Sequence, residues 1–220
     1  MEIKWFGHSC FLLTGENGTR VLMDPPDPST GFVIKPMKAD VVTSSHSHYD
    51  HAYFPLALGN PVRVTEAGIH ALDGVTITGV SWWHDDALGK KRGPNILFTV
   101  EMDGIRLLHA GDIGCLPDEE TVKQLGETDV LLVPVGGFYT IDHAQALELC
   151  NLLKPKVVIP MHYKTDEMRP DLAEKLSGIN AFLNAARNCS IHRLRQSEAT
   201  LTKESLGADR IITLAVPKAT

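Results

Sequence analysis

Cysteine is scarce and scattered. The 220-residue chain has four, Cys10, Cys115, Cys150 and Cys189, with no CxxC pair among them. That spacing excludes a zinc ribbon and a thioredoxin-like redox motif. No stretch approaches the ~20 consecutive apolar residues of a membrane helix. The opening MEIKWFGHSC has neither a basic n-region nor a long apolar run. Positive charge is not in excess, since 21 Lys and Arg stand against 27 Asp and Glu for a formal net charge of −6. General nucleic-acid binders carry a basic face, so this balance argues against one. Linkers, repeats and low-complexity tracts are also missing. These absences predict one domain spanning residues 1–220, in a cytoplasmic protein with reduced thiols and no membrane partner.

What is present is an ordinary soluble composition, 43% hydrophobic and 22% charged. A chain of this length buries a core without disulfides or structural metal. The ten histidines are the exception. The first half reads as short β-rich runs: EIKWF, CFLLT and RVLMD, with GENG as a turn between the last two. ADVVTSS, GVTITGVSWW and ILFTVEMDGIRLLHA follow, the last folding back at MDG. The second half alternates. PDEETVKQL starts as a helix, with Pro117 suited to an early helical position and acids in the first turn. DVLLVPVGG is a buried-strand run, and DHAQALELCNLLK has helical spacing at Ala146, Leu149, Leu152 and Leu153. PKVVIPMHY reads as a strand, RPDLAEKLSGINAFLNAAR as a helix broken near Gly178, and RIITLAV as a closing strand. The pattern predicts a layered α/β fold with helices outside sheets.

Chemistry gathers where the apolar runs stop. Asp24 follows VLM; His46, His48, Asp50 and His51 follow ADVVTSS; His84 and Asp85 follow GVSWW; Asp112 follows IRLLHAG; His162 follows VVIPM. In layered α/β folds, ligands bind where strand ends converge. Side chains two apart in extended chain point the same way, so His46 and His48 face one ion together. Asp50 and His51 face a second ion as the chain turns. Neither set is complete alone. His84 completes the first and His162 the second, while Asp112 has two oxygens and bridges both. Two-metal hydrolytic sites hold their ions roughly 3.5–4 Å apart, with a shared hydroxide as nucleophile. A lone strand histidine is ordinarily structural or exposed, which is how His70 and His192 are read. The ordered set carries the metal reading, because each later piece is weak alone.

These pieces resemble a known superfamily. HSHYDH matches the HxHxDH motif of metallo-β-lactamase-fold hydrolases. HAGD resembles their bridging-aspartate motif, PMHY their final histidine motif, and VLMDP the segment whose aspartate supports the metal ligands from behind. The resemblance runs from about residue 5 to residue 165. It implies a four-layer αββα sandwich with two metals at one edge of the two sheets. WFGHSCF, HDD followed by GKKRGPN, GDIG and PVGGFYTID further resemble small metal-dependent hydrolases related to L-ascorbate 6-phosphate lactonase and N-acyl phosphatidylethanolamine phospholipase D. Other branches fit less well. A GHTPG-type segment around the third histidine is missing, which argues against glyoxalase II or a true β-lactamase. His48 stands where the flavodiiron branch carries glutamate. The chain has no room for the large inserted domain of RNA-cleaving relatives.

Two divalent ions, two carboxylates and a hydroxide leave such a centre at about +1, which favours anionic substrates or transition states. Histidine and carboxylate ligands suit Zn2+, and Mn2+ or Fe2+ also fit. Asp50 and Asp112 are the candidate catalytic carboxylates, with Asp112 accepting a proton as the bridge opens. Asp24 is expected to orient ligating histidines, with His8, Asp85 and His109 as further candidates. His109 lies three residues before Asp112 and should point away from it. Cys115 is read as structural. Arg92 and Lys164 are candidates for binding a phosphate or carboxylate, and Tyr139, Tyr163 and His143 for other substrate contacts. Trp82 and Trp83 alternate faces, so one of them belongs to the core.

The leading expectation is a dinuclear metal-dependent hydrolase acting on a small anionic ester, lactone or phosphoester. A nuclease or cyclic-nucleotide phosphodiesterase of the same fold is a rival, disfavoured by the acidic balance and short length. A metal-binding protein without catalysis is another, disfavoured because all seven presumptive ligands are present.

Overall fold

Alternating burial defines the strands of the first half. In the run from Val75 to Trp83, Val75, Ile77 and Gly79 face inward and the residues between them are more open, the period of two that a pleated strand imposes. The computed structural model describes residues 1–207 and 210–216. Its strands begin with β1 (Glu2–Trp5), β2 (Phe11–Thr14), β3 (Arg20–Met23), β4 (Met37–Lys38), β5 (Val41–Thr43), β6 (Ala57–Leu58), β7 (Val62–Val64), β8 (Gly68–Leu72), β9 (Val75–Trp83), β10 (Pro94–Met102) and β11 (Ile105–His109). Then come α1 (Glu119–Leu125), β12 (Val130–Pro134), α2 (His143–Leu153), β13 (Val157–Met161), α3 (Pro170–Ala173), α4 (Asn180–Ala185), β14 (Ser190–Arg193), β15 (Glu198–Thr200) and β16 (Arg210–Thr213).

Two sheets result. One has the order β15-β1-β2-β3-β5-β7 and the other β14-β16-β13-β12-β11-β10-β9-β8, with β4 and β6 as a separate pair. Parallel neighbours need a crossover connection, and α1 and α2 supply it between β11, β12 and β13. Strands β12 and β13 are buried at every position, which explains their unbroken apolar sequences. The inner faces of both sheets share one core, in which Ile3, Trp5 and Phe11 meet Phe98, Leu107 and Leu131.

The four layers expected are therefore present, and they differ in kind. Helix α2 buries Ala146, Leu149 and Leu153 and lies against β12 and α4. The outer face of the six-stranded sheet instead buries Cys10, Leu22 and Val42 under Leu56, Phe54, Met37 and Ile34, from a 3-10 turn and the β4–β6 region. Two local expectations need correcting. Leu152 is 44% exposed rather than part of the α2 stripe. Pro117 precedes the helix, because Asp118 caps Thr121 N–H and α1 starts at Glu119. None of the described helices is long and apolar enough to cross a membrane.

Strand direction then places the chemistry. β3 and β5 run parallel. β9 and β11 are both antiparallel to β10, so they run parallel to each other and to β13. Asp24, the His46–His51 loop, His84, Asp112 and His162 each follow the C-terminal end of one of these strands, and all meet at one edge of the sandwich.

Candidate metal centre

Asp112 sits at the middle. Its carboxylate lies 3.2 Å from His51 Nε2, 3.2 Å from His162 Nε2, 3.4 Å from His84 Nε2 and 4.0 Å from His46 Nε2. Two ligand groups form around it, each with potential donor atoms within 4.8 Å of one another: His46, His48 and His84, and then His8, Asp50, His51 and His162. Around a tetrahedral ion with ~2.0–2.2 Å bonds, neighbouring ligand atoms stand roughly 3.3–3.5 Å apart. The three shorter distances to Asp112 are close to that edge length. His8, read from sequence as a supporting residue, thus stands among the potential donors, with Nε2 at 3.1 Å from Asp50 Oδ2.

Behind the histidines, one carboxylate organises both groups. Asp24 Oδ2 accepts His51 Nδ1–H at 2.7 Å, which leaves the His51 Nε2 lone pair aimed inward. Asp24 also accepts the Ser45 backbone N–H and the Ser45 hydroxyl. With its proton given to Asp24, Ser45 Oγ accepts His46 Nδ1–H at 2.9 Å. Asp24 so fixes one tautomer in each group. It also has an apparent three-residue set with His46 and His51, but its oxygens are already taken by these bonds. Sequence reasoning missed Ser45, although it stands in SSHSHYDH. It also missed Asn95, fully buried, which accepts Asp112 N–H at 2.9 Å and donates to Ala110 carbonyl. Gly111 passes this corner at φ 54°, where a Cβ would meet Asn95 Oδ1 at 2.4 Å.

Backbone strain collects here too. His8, Asp24 and His162 have φ of 51°, 46° and 50°, a region that non-glycine residues enter at a cost and keep where surroundings enforce it. His8 carbonyl, for example, accepts both the Trp5 indole and the His162 backbone N–H.

The electrostatics call for cations. Asp24, Asp50 and Asp112 are ion-paired only with histidines among the described residues. Burial would raise the Asp112 carboxyl, but facing His162 and His51 pull it well below the usual range. Burial would likewise lower His51, but Asp112 and Asp50 hold it well above its ordinary value. A proton on His51 is one way to balance buried carboxylates, and a metal ion is another. Burial and neighbouring His51 push His46 down to about 3, and burial and neighbouring His162 push His8 down to about 4. Both rings are thus neutral at neutral pH, and each has one unprotonated nitrogen. His46 Nε2, His51 Nε2, His162 Nε2 and Asp112 Oδ1 are buried without a hydrogen-bond partner, a cost that native sites bear where another group completes them. The donor set fits divalent metal.

Residues 2–162 match the family described as the beta-lactamase superfamily domain. The chain belongs to that family. A relative from Archaeoglobus fulgidus, described as a UPF0173 metal-dependent hydrolase, is 32% identical over 203 residues, covering 75% of this chain and 84% of its own. A crystal structure from Thermotoga maritima, described as a Zn-dependent hydrolase of the metallo-beta-lactamase superfamily, superposes with TM-score 0.80 at 37% identity, over 97% of this chain and 98% of that one. A metallo hydrolase from Ignicoccus hospitalis gives TM-score 0.61 at 25% identity, over 84% and 91%.

In this member of the beta-lactamase superfamily, the cluster opens into a cavity of about 330 Å³. His8, His48, Asp50, His84, Asp112 and His162 face it, and its walls are Tyr49, Tyr139, Leu172, Leu176 and Arg92. Arg92 donates to Phe138 carbonyl at 3.1 Å and lies 5.7 Å from the Tyr139 ring centre. Asp85 acts on this loop rather than on a histidine. Its oxygens accept the N–H groups of Ala87, Gly89, Lys91 and Arg92. Burial opposes ionisation of Asp85, but these four donors outweigh it and bring the carboxyl down to about 2.

Several candidates lie elsewhere. Tyr163 is buried against Trp5, with ring centres 5.4 Å apart, because the left-handed turn at His162 sends the next side chain into the core. Burial raises its phenol. Lys164 is exposed and pairs through its backbone with Ser177 and Gly178. His143 opens α2 beside its capping Asp142 and is not among the cavity walls. His109 bonds backbone rather than a histidine ligand: Nε2–H donates to Ser9 carbonyl and Nδ1 accepts Gly111 N–H. His70 bonds Glu66 carbonyl, and His192 is exposed. Trp82 packs on the core and donates to Cys115 carbonyl.

Proposed function

We propose that the chain is a dinuclear metal-dependent hydrolase of small anionic esters, lactones or phosphoesters. The observation that carries this is the Asp112 carboxylate within 4.0 Å of four imidazole Nε2 atoms. His46, His48 and His84 would hold one ion, Asp50, His51 and His162 would hold the other, and Asp112 would contribute to both. The imidazole and carboxylate donors suit zinc, with manganese or iron as alternatives. Bound there, the ions lower the pKa of water toward about 7 and polarise the scissile carbonyl or phosphoryl group.

The remaining steps belong to the protein. Arg92 binds the anionic group of the substrate at the cavity wall. Asp24 and Ser45 keep His51 and His46 in their ligating tautomers. Asp112 would take the proton of the attacking water and pass it to the leaving oxygen as the scissile bond breaks, and Asp50 is held for ligation by His8. Tyr49, Tyr139, Leu172 and Leu176 restrict water around the reacting group. The core that both sheets share supports the reading of one domain. Its four free cysteines favour a reducing, cytoplasmic setting.

Elemental analysis of the purified protein, paired with a panel of lactones, phosphomonoesters and phosphodiesters, tests the reading. Two equivalents of metal and turnover of at least one class are expected. Metal below stoichiometry after reconstitution, or no hydrolysis across the panel, would overturn it.

A further inference from the structure

Beyond His48 and Arg92 lies a second cavity, about 530 Å³, whose far wall the hydrolytic chemistry leaves unused. Those two side chains line it and the metal-facing cavity alike. Its apolar surface comes from Phe54, Pro94 and Ile96. Its polar lining is His46, His48 and Arg92 on the side of the metal cluster and five hydroxyl residues, Ser44, Ser45, Ser47, Thr65 and Ser81, over the rest, and no Asp or Glu lines it. That is unusual in a chain with net charge −6. Two of the serines are committed: Ser44 donates to His46 carbonyl and Ser45 to Asp24. Ser47, Thr65 and Ser81 have side-chain hydroxyls with no protein partner among the described residues. Arg63 lies 4.6 Å from the ring centre of Phe54, one of the lining residues.

We infer that this second cavity is a subsite for a polyhydroxylated arm of the substrate. The inference rests on the hydrolase reading and narrows its substrate class to a two-armed anionic ester with a polyol arm. A ring or chain bearing hydroxyls has C–H faces for Phe54 and Ile96 and hydroxyls for Ser47, Thr65 and Ser81. An all-apolar arm would leave those wall hydroxyls unpaired. A cationic arm would meet Arg92 and no carboxylate. With the anionic group beside Arg92, one arm extends into each cavity.

Calorimetric titration of the zinc-loaded protein with glycerol 1-phosphate and with methyl phosphate tests this. The two share a phosphate, and only the first has a polyol arm. Two hydroxyl hydrogen bonds are worth about tenfold in affinity, so glycerol 1-phosphate should bind about tenfold tighter. Ser81→Phe and, separately, Thr65→Phe put a ring into the subsite from exposed positions, and either should collapse the ratio toward about one. A wild-type ratio below about three overturns the inference, as does a ratio that both variants retain. Hydrolysis is read separately: an intact ratio without turnover supports the subsite and faults the hydrolase reading alone.

Discussion

The two halves of the candidate metal centre are built differently. His46, His48 and His84 form an outer group in which His48 is exposed and only His46 has a described partner behind it, Ser45. Asp50, His51 and His162 form an inner group, in which His51 and His162 are 0% and 1% exposed. That group is buttressed by Asp24, by His8, and by backbone held in the left-handed region at His8, Asp24 and His162. Orientation imposed in advance lowers the cost of binding. The inner position should therefore hold its ion tightly and the outer one should exchange it. The lesson is that two sites with similar ligands can differ in affinity through the residues behind them.

Asp112→Asn tests what joins the halves and has the largest expected effect. Charge stabilisation by bound metal is worth several kcal/mol, so losing the shared carboxylate should lower kcat/KM about a thousandfold or more. Metal analysis should find both positions weakened. If the variant loses only one ion, Asp112 serves one half and the centre is two separate sites. His48→Ala comes next. It should drop metal content from two equivalents to one and activity by about a hundredfold, leaving the inner ion in place. Loss of both ions would contradict the independence of the inner group. Asp24→Asn should weaken inner metal affinity by about 10- to 100-fold, because the His51 tautomer is no longer fixed. A competition titration with a chelating dye measures it. Because Asp24 also reaches His46 through Ser45, the outer ion should weaken by a smaller factor. Equal weakening of both would place the asymmetry elsewhere.

Much of this centre was legible because it lies in local sequence. The runs that became β1, β2, β3, β5, β9–β13 and β16 carry alternating or continuous apolar patterns, and the candidate ligands lie just past the ends of β5, β9, β11 and β13. Strands β7, β8, β14 and β15 are short, with many open positions, and gain their form from a neighbour at a sheet edge or at the sheet surface. Their sequences hold little periodic signal. The supporting shell was harder to read for the same reason. Ser45 and Asn95 act through contacts 21 and 17 residues away, and a serine or asparagine carries no spacing code for that. Tyr163 and Lys164 misled because they flank a ligand. The positive φ at His162 turns one inward to Trp5, and the bridge to Gly178 fixes the other outside.

Asp85→Asn has the smallest expected effect and separates binding from metal chemistry on the outer half. Asp85 follows His84 directly, so a ligand-supporting role predicts metal loss. The structure instead gives its carboxylate to four backbone N–H groups of the loop that ends in Arg92. A neutral amide cannot accept all four as well as a carboxylate. The loop should loosen and Arg92 should need ordering when substrate arrives. That ordering raises KM for an anionic substrate by about two- to tenfold, with kcat and metal content near wild type. An uncharged ester of similar size should show little change in KM. If metal content falls instead, or if KM rises equally for charged and uncharged substrates, Asp85 supports His84 and the outer half is better braced than its hydrogen bonds indicate.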